Sequence, residues 1–276
     1  MTNLEDSRDL LMVAAEAVRR AGQVITRDAP QSVTDKGDRD VRTDVDVAAE
    51  DYIRRYLAAQ TPEIPVLGEE EGGPRPDDGV LWVVDPIDGT VNYLHGIPNY
   101  AVSMSLIEDG RTVLGATHLP AFGTTYTVRA GNGSRADDVP IRVSRTTALR
   151  ESVIAVDQFT FSGVDPRPAN DVRLALLKGL SPLVQRLRIH GASAVDLAWT
   201  AHGKLDACII LGNSPWDTSA GVLLAREAGA QVVDLHGEPH AVTSKTTVAA
   251  APGVLNELLA AIDAATQSGE VDLRTT

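Results

Sequence analysis

Apolar residues near the start of the chain recur at three-and-four spacing. Leu11, Ala14, Val18, Ala21 and Ile25 fall on one face of a helix predicted over 4–27. Ala49, Ile53, Tyr56 and Leu57 give a second helix over 44–60, with Asp44 and Asp46 in a first turn where carboxylates favour the helix dipole. The polar stretch between them, 32–42, has Gly37 at its middle and reads as a loop or weak hairpin. Val66-Leu67-Gly68 is a short strand, and the unbroken apolar run Val80-Leu81-Trp82-Val83-Val84 is a buried one. Alternation then predicts a meander of strands over 101–107, 112–119 and 125–130. Its turns fall at Glu108-Asp109-Gly110 and Pro120-Ala121-Phe122-Gly123, and a polar loop over 131–140 follows.

The second half has a different rhythm. Strands over 152–156, 205–211 and 231–235 alternate with helices over 171–180, 193–201, 217–228 and 254–265, as in an α/β layer. Gly203 and Gly229 stop two of those helices. With no repeat and no low-complexity linker, the expectation is one domain, 1–276, whose halves, about 1–145 and 146–276, pack closely.

Composition narrows the function classes. Aromatics are scarce at 4%, so the core must be built from Ala, Val, Leu and Ile. The formal net charge is −13 and no Lys/Arg cluster forms a basic face, which argues against a nucleic-acid polymer as partner. The acidity serves solubility, and a few of the acids are available to surround cations. Cys208 is the only cysteine, so an intrachain disulfide is impossible; it reads as a small core residue in a reducing compartment, the cytoplasm. The polar, acidic start lacks the pattern of a signal peptide, and no apolar run reaches the ~18 residues of a membrane helix. No membrane partner is expected.

Candidate chemistry concentrates in Asp85-Pro86-Ile87-Asp88-Gly89-Thr90. Two carboxylates leave the end of the buried strand, Gly89 permits a tight turn, and Thr90 adds a hydroxyl and an N–H. Carboxylates so placed hold a hard cation, and turn N–H groups cradle phosphate. Glu69, in Glu69-Glu70-Glu71, also follows a short strand, and Asp217, in Trp216-Asp217-Thr218, opens a helix. Each acid has a simpler role: Asp-Gly is a common turn, three adjacent acids form a solvated loop, and Asp217 makes an N-cap. The six histidines show no paired-ligand spacing, which disfavours zinc.

Taken jointly, these anchors resemble the inositol monophosphatase family. The series runs Asp46-x-x-x-Glu50, Gly68-Glu69-Glu70, Trp82-Val83-Val84-Asp85-Pro86-Ile87-Asp88-Gly89-Thr90 and Trp216-Asp217. Asn92-Tyr93, Pro98, Ala101-Val102-Ser103, His190-Gly191, Asp196-Leu197, Gly203 and Glu227-Ala228-Gly229-Ala230 extend it over about 10–250. The resemblance implies a layered α-β-α-β-α fold with mixed sheets. It also implies two or three Mg²⁺ ions, with Mn²⁺ a possible substitute, held by Glu69, Asp85, the Ile87 carbonyl, Asp88 and Asp217. Asp85 bridges two of them. Thr90 and Asp46 then orient and deprotonate the attacking water, and Asp88, Gly89, Thr90, Ser193 and Asp217 meet the substrate. Two cations about 3.5–4 Å apart grip a phosphate monoester and stabilise its leaving alkoxide. Family members are commonly homodimers. The expected activity is hydrolysis of a small-molecule phosphate ester, a polyol or sugar phosphate.

The alcohol is less defined. Relatives specific for inositol phosphate carry a Glu seven residues before the Trp-Asp aspartate, and here that position is Ile210. Histidinol phosphate, fructose 1,6-bisphosphate and 3′-phosphonucleotides are rival substrates. Asp196 is either an inward polar residue or a pocket acid. The 35–40 loop, with Lys36, is one residue shorter than in well-known animal relatives, and Gly123 stands where relatives often have an acid. The Asp-x-Asp-Gly-Thr motif of haloacid-dehalogenase-type phosphatases does not match, because Pro86 and Ile87 separate the two aspartates. A non-catalytic metal-binding regulator of the same fold is the reading from another class; the Thr90–Asp46 pair speaks against it.

Overall fold

A computed structural model describes residues 4–27, 30–37, 40–75, 79–160 and 166–267. Helices α1 (Leu4–Arg27) and α2 (Asp44–Gln60) flank a hairpin of β1 (Val33–Gly37) and β2 (Asp40–Thr43), so the weak-hairpin reading of 32–42 holds. The side chains of 35–40, Lys36 among them, lie outside the described residues. Next come β3 (Val66–Gly68), β4 (Val80–Asp88), α3 (Thr90–Leu94), β5 (Ala101–Glu108), β6 (Arg111–Leu119), β7 (Thr124–Arg129), β8 (Ser134–Ala136) and β9 (Val139–Pro140). The second half adds β10 (Val153–Val156), α4 (Arg167–Leu180), β11 (Arg186–Arg188), α5 (Ser193–Ala201), β12 (Ala207–Ile210), α6 (Pro215–Glu227), β13 (Gln231–Val233), β14 (Thr247–Ala250) and α7 (Leu255–Gln267).

Strands β3 to β9 form a seven-stranded sheet in sequence order, parallel only between β3 and β4. The five-stranded sheet has order β11-β10-β12-β14-β13, parallel on one side and antiparallel on the other. Three cores separate the layers. Ala17, Ile25, Ile53 and Leu57 of α1 and α2 pack on Trp82, Val84 and Leu114 of the first sheet. Leu197 and Leu224 of α5 and α6 lie between Tyr126 and Val128 on one side and Cys208 and Ala249 on the other. Leu176 and Leu258 of α4 and α7 cover Ile154, Ile209 and Val248. The order is α-β-α-β-α, as the resemblance implied.

Several expectations need correction. The Asp85–Asp88 run is not a turn beyond the strand, because β4 continues through it to Asp88. The supposed loop over 131–140 contains β8 and β9. Strand β12 is shorter than 205–211, and α4 starts four residues before 171, because Pro168 in its first turn needs no N–H partner. β11, β14 and the short α3 have no counterpart in the predicted set. β11 is three residues at a sheet edge with two exposed arginines, so it lacks an apolar run to reveal it.

Candidate active site

The geometry of the site begins with an irregularity in β4. Asp85 pairs with Ser103 of β5, but Asp88 pairs with Ala101, so three steps on one strand match two on the other. This is a β-bulge, and it re-phases the alternation of side chains. Before it, Leu81 and Val83 face the small core beside Trp216 while Trp82 and Val84 face α1 and α2. After it, Ile87 joins the α1/α2 core and Asp88 turns to the side that Asp85 faces. In a regular strand, residues three apart would point to opposite faces. Here carboxylate oxygens of Asp85, Asp88 and Asp217 all lie within 4.8 Å of one another.

Asp217 arrives from α6. Ser214 is the N-cap and Asp217 lies in the first helical turn, so its simple N-cap role is not the one it takes. The neighbourhood penalises charge. Asp85 is fully buried, and burial, then Glu69, Asp88 and Asp217, push its carboxyl well above the usual range. Among the described residues neither Asp85 oxygen has a hydrogen-bond donor. Its neighbours are other carboxylates, which when ionised only accept. Burial and Asp217 raise Asp88 as well, while the N–H groups of Ala194 (2.8 Å) and Ser193 (3.2 Å) at the start of α5 act in the opposite sense. Burial and Glu69 push Asp217 up to about 7. Buried carboxylates without donors are what a bound cation stabilises, so the donor set fits a hard divalent ion.

Asp46 serves two partners. Its Oδ2 accepts from the N–H (2.7 Å) and hydroxyl (2.5 Å) of Thr43, which caps α2. Its Oδ1 accepts from Thr90 Oγ1 at 3.1 Å. The Thr90 hydroxyl lies at the same distance from the Ile87 carbonyl. Burial raises the Asp46 carboxyl, with the Thr43 hydroxyl opposing. Between Asp88 and Thr90, Gly89 has φ 87°, and a Cβ there would lie 2.8 Å from the Asn99 carbonyl, so this turn requires glycine.

Supporting residues were less visible in the sequence. Glu50, fully buried, accepts from the N–H groups of Glu70 (2.8 Å) and Glu71 (3.2 Å) and pairs with Arg54, thereby holding the turn that carries Glu69. Asn92 Nδ2 donates to the carbonyls of Asn99 and His190, both at 2.7 Å, tying α3 to the loop before α5. Ser193 is the first residue of α5, whose N-cap is Ala192. Asp196 is an inward residue, hydrogen-bonded to His190 Nδ1 at 2.5 Å. The signal for Glu50 and Asn92 was present in the quoted motifs, but spacing alone assigns them no partner.

The layered α-β-α-β-α order, the bulged strand and the buried acid cluster define a layered α/β protein with a candidate site for a hard cation. The model of the inositol monophosphatase family matches residues 6–267, and the chain belongs to that family. It is 39% identical over 251 residues, 91% of this chain and 90% of the relative, to inositol-1-monophosphatase ImpA of Mycolicibacterium smegmatis. It is 33% identical over 256 residues, 91% of this chain and 94% of the relative, to a protein of Pasteurella multocida named Nus factor SuhB. The solved structure of extragenic suppressor protein suhB from Bartonella henselae superposes with TM-score 0.86 at 31% identity, covering 92% of this chain and 98% of that one.

Proposed function

We propose that this protein hydrolyses a small polyol or sugar phosphate with the help of Mg²⁺ ions, for which Mn²⁺ can substitute. One observation carries the reading: among the described residues both oxygens of fully buried Asp85 lack a donor while Asp88 and Asp217 crowd the same site. Glu69, Asp85, the Ile87 carbonyl, Asp88 and Asp217 would hold the ions. When bound, they supply charge neutralisation for the phosphate, a more acidic water and stabilisation of the leaving alkoxide.

The chain's own groups do the rest. Thr90 Oγ1, held by Asp46 and by the Ile87 carbonyl, orients the attacking water, and the raised carboxyl of Asp46 suits it to receive a proton. The N–H groups of Gly89 and Thr90 meet the phosphate. Ser193, with Asp88 and Asp217, borders the alcohol side. The core that joins both sheets through α5 and α6 supports reading 1–276 as a single phosphatase domain.

The resemblance to an inositol-1-monophosphatase at 39% identity favours inositol phosphate. Ile210 offers no hydrogen bond to an inositol hydroxyl and favours another alcohol. A panel of inositol 1-phosphate, histidinol phosphate, fructose 1,6-bisphosphate and a 3′-phosphonucleotide, assayed for phosphate release with Mg²⁺, Mn²⁺ and added Li⁺, decides between them. Asp88→Asn and Asp217→Asn should abolish turnover; full activity of both at saturating Mg²⁺ would refute the metal roles. The same reading makes the protein a cytoplasmic homodimer, in keeping with its family and with a single buried cysteine; light scattering in solution tests the dimer. Among the described residues no helix is long and apolar enough to cross a membrane.

A further inference from the structure

The carboxylate missing at position 210 has a neighbour. Strands β10 and β12 are parallel, and their last paired residues are Val156 and Ile209. One step further along each strand stand Asp157 and Ile210, side by side at a spacing of about 4.8 Å between strands. The Asp157 N–H donates to the Ile209 carbonyl at 2.8 Å, which fixes that adjacency. Ala155, Cys208 and Ile210 face the core shared with α5 and α6, whereas Ile154, Val156 and Ile209 face α4 and α7. Asp157 follows the last residue of β10, at the carboxyl ends of parallel strands where α/β sheets bind ligands, and Arg173 reaches its carboxylate from α4.

Its surroundings hold it ready as an acceptor. Arg173, buried on α4, donates to Asp157 Oδ2 at 2.9 Å, and the Leu211 N–H donates to the same oxygen at 3.1 Å. Among the described residues Oδ1 accepts only from the Gln158 N–H, at 2.8 Å, and an ionised carboxylate has about four lone-pair sites. One site on Oδ1 is thus left over, and the side chain remains 16% exposed. The next residue abuts the catalytic loop: a Cβ on Gly191 would lie 2.9 Å from Gln158 Oε1, and two residues on, Ser193 donates to Asp88. Asp217, raised chiefly by burial and by Glu69, also feels the charge of Asp157.

We propose that Asp157 accepts hydrogen bonds from the hydroxyl groups of the substrate's alcohol, replacing from the neighbouring strand the acid that relatives carry at position 210. The substrate class is then a polyol phosphate, in spite of Ile210. Arg173 is the positioning residue: burial raises the Asp157 carboxyl, and the guanidinium opposes that shift while aiming the group. This assignment rests on the phosphatase reading above and concerns only how the alcohol is selected.

The test compares myo-inositol 1-phosphate with p-nitrophenyl phosphate, an ester whose leaving group carries no further hydroxyl. KM and kcat are measured with Mg²⁺ on the full chain, its Asp157→Asn variant and its Asp157→Glu variant. Loss of the charge and of one of the two acceptor oxygens should raise the ratio of the two KM values, inositol ester over nitrophenyl ester, about tenfold in Asp157→Asn. Asp157→Glu keeps a charge for Arg173 but displaces it, and should raise the ratio about threefold with its melting temperature kept. Equal KM changes for both esters would mean that Asp157 only props the strand ends, and would overturn the proposal. So would an unchanged ratio in Asp157→Glu if the Asn variant fails to fold, or hydrolysis of the nitrophenyl ester alone by the unmodified protein. Phosphate release from another member of the panel above but not from the inositol ester overturns this proposal alone, whereas release from no member of the panel and from neither ester makes the phosphatase reading itself fail and takes this proposal with it.

Discussion

Thr90 Oγ1 donates to Asp46 Oδ1 at 3.1 Å, joining residues 44 positions apart in the chain. The bond links the end of the bulged strand to the first turn of α2. Asp46 is held from the other side by Thr43, so the carboxylate is fixed before any substrate arrives. Thr90→Ala should lower kcat about a hundredfold, since a positioned proton-transfer group contributes that much or more. Thr90→Ser keeps the hydroxyl and should retain most of the turnover. Equal losses in the two variants, measured by phosphate release, would show that the methyl group rather than the hydroxyl matters.

Gly68 leaves no room for a side chain. A Cβ there would lie 2.1 Å from Glu50 Oε1 and 2.4 Å from its carboxyl carbon. Glu50 is fully buried and already engaged by Arg54 and the 70–71 backbone, so it has nowhere to retreat. Gly68→Ala should cost about 1–3 kcal/mol in denaturant unfolding, the usual range for overpacking. It should also weaken Mg²⁺ binding measured by calorimetry, because Glu69 follows directly. A variant with native stability and native Mg²⁺ affinity would contradict the role given to Glu50.

Asn92 fastens α3 to the loop before α5 through the carbonyls of Asn99 and His190. Asn92→Leu has a similar size but no donor, leaving two partly buried carbonyls unpaired. A loss of about 1–3 kcal/mol is expected, the usual penalty for an unsatisfied buried group. Because the loop leads to the Ser193 and Ala194 N–H groups that hold Asp88, kcat should fall with stability. Unchanged thermal unfolding would remove Asn92 from the support of the site.

The acid cluster makes stability depend on pH in a direction set by its shifts. The Asp217 carboxyl rises from 3.8 to about 7, through burial and then Glu69, and Asp85 and Asp88 move the same way. Between those values the folded state binds more protons than the unfolded one. The associated stability is therefore fully present below the unfolded value and is lost as pH rises through about 7. In chelator, the melting temperature should fall as pH rises across this window. Mg²⁺ should restore it most at the alkaline end, where the carboxylates are ionised and the ion binds them. A chelated protein whose melting temperature climbs over the same range would count against the cluster.

Much of the architecture was legible because it obeys local periodicities. The helices over 4–27 and 44–60 agree with α1 and α2 at both ends, since a long apolar stripe at helical spacing has few competing explanations. The meander was visible through its alternation and its Gly-bearing turns. β11, β8 and β9 were not, because strands of two or three residues contain hardly more than one alternation cycle and owe their form to a neighbouring strand. β14 was missed too: its run Thr247-Val248-Ala249-Ala250 is apolar on both faces, which by pattern does not separate strand from helix.

The acids of the site were legible as residues but not as a constellation. By itself the sequence determined the acid series, the Gly89 turn, the likeness to a phosphatase family and the succession of helices and strands, because these reside in residue identity and local spacing. Only the tertiary structure decided that Asp85 and Asp88 face the same way. That depends on where β4 slips one residue against β5, and the register of a strand is a property of two chain segments, not one. The same holds for Glu50 beneath Gly68 and for Asp157 beside Ile210: each relation is a distance across the fold, set by packing of segments that the chain itself keeps apart.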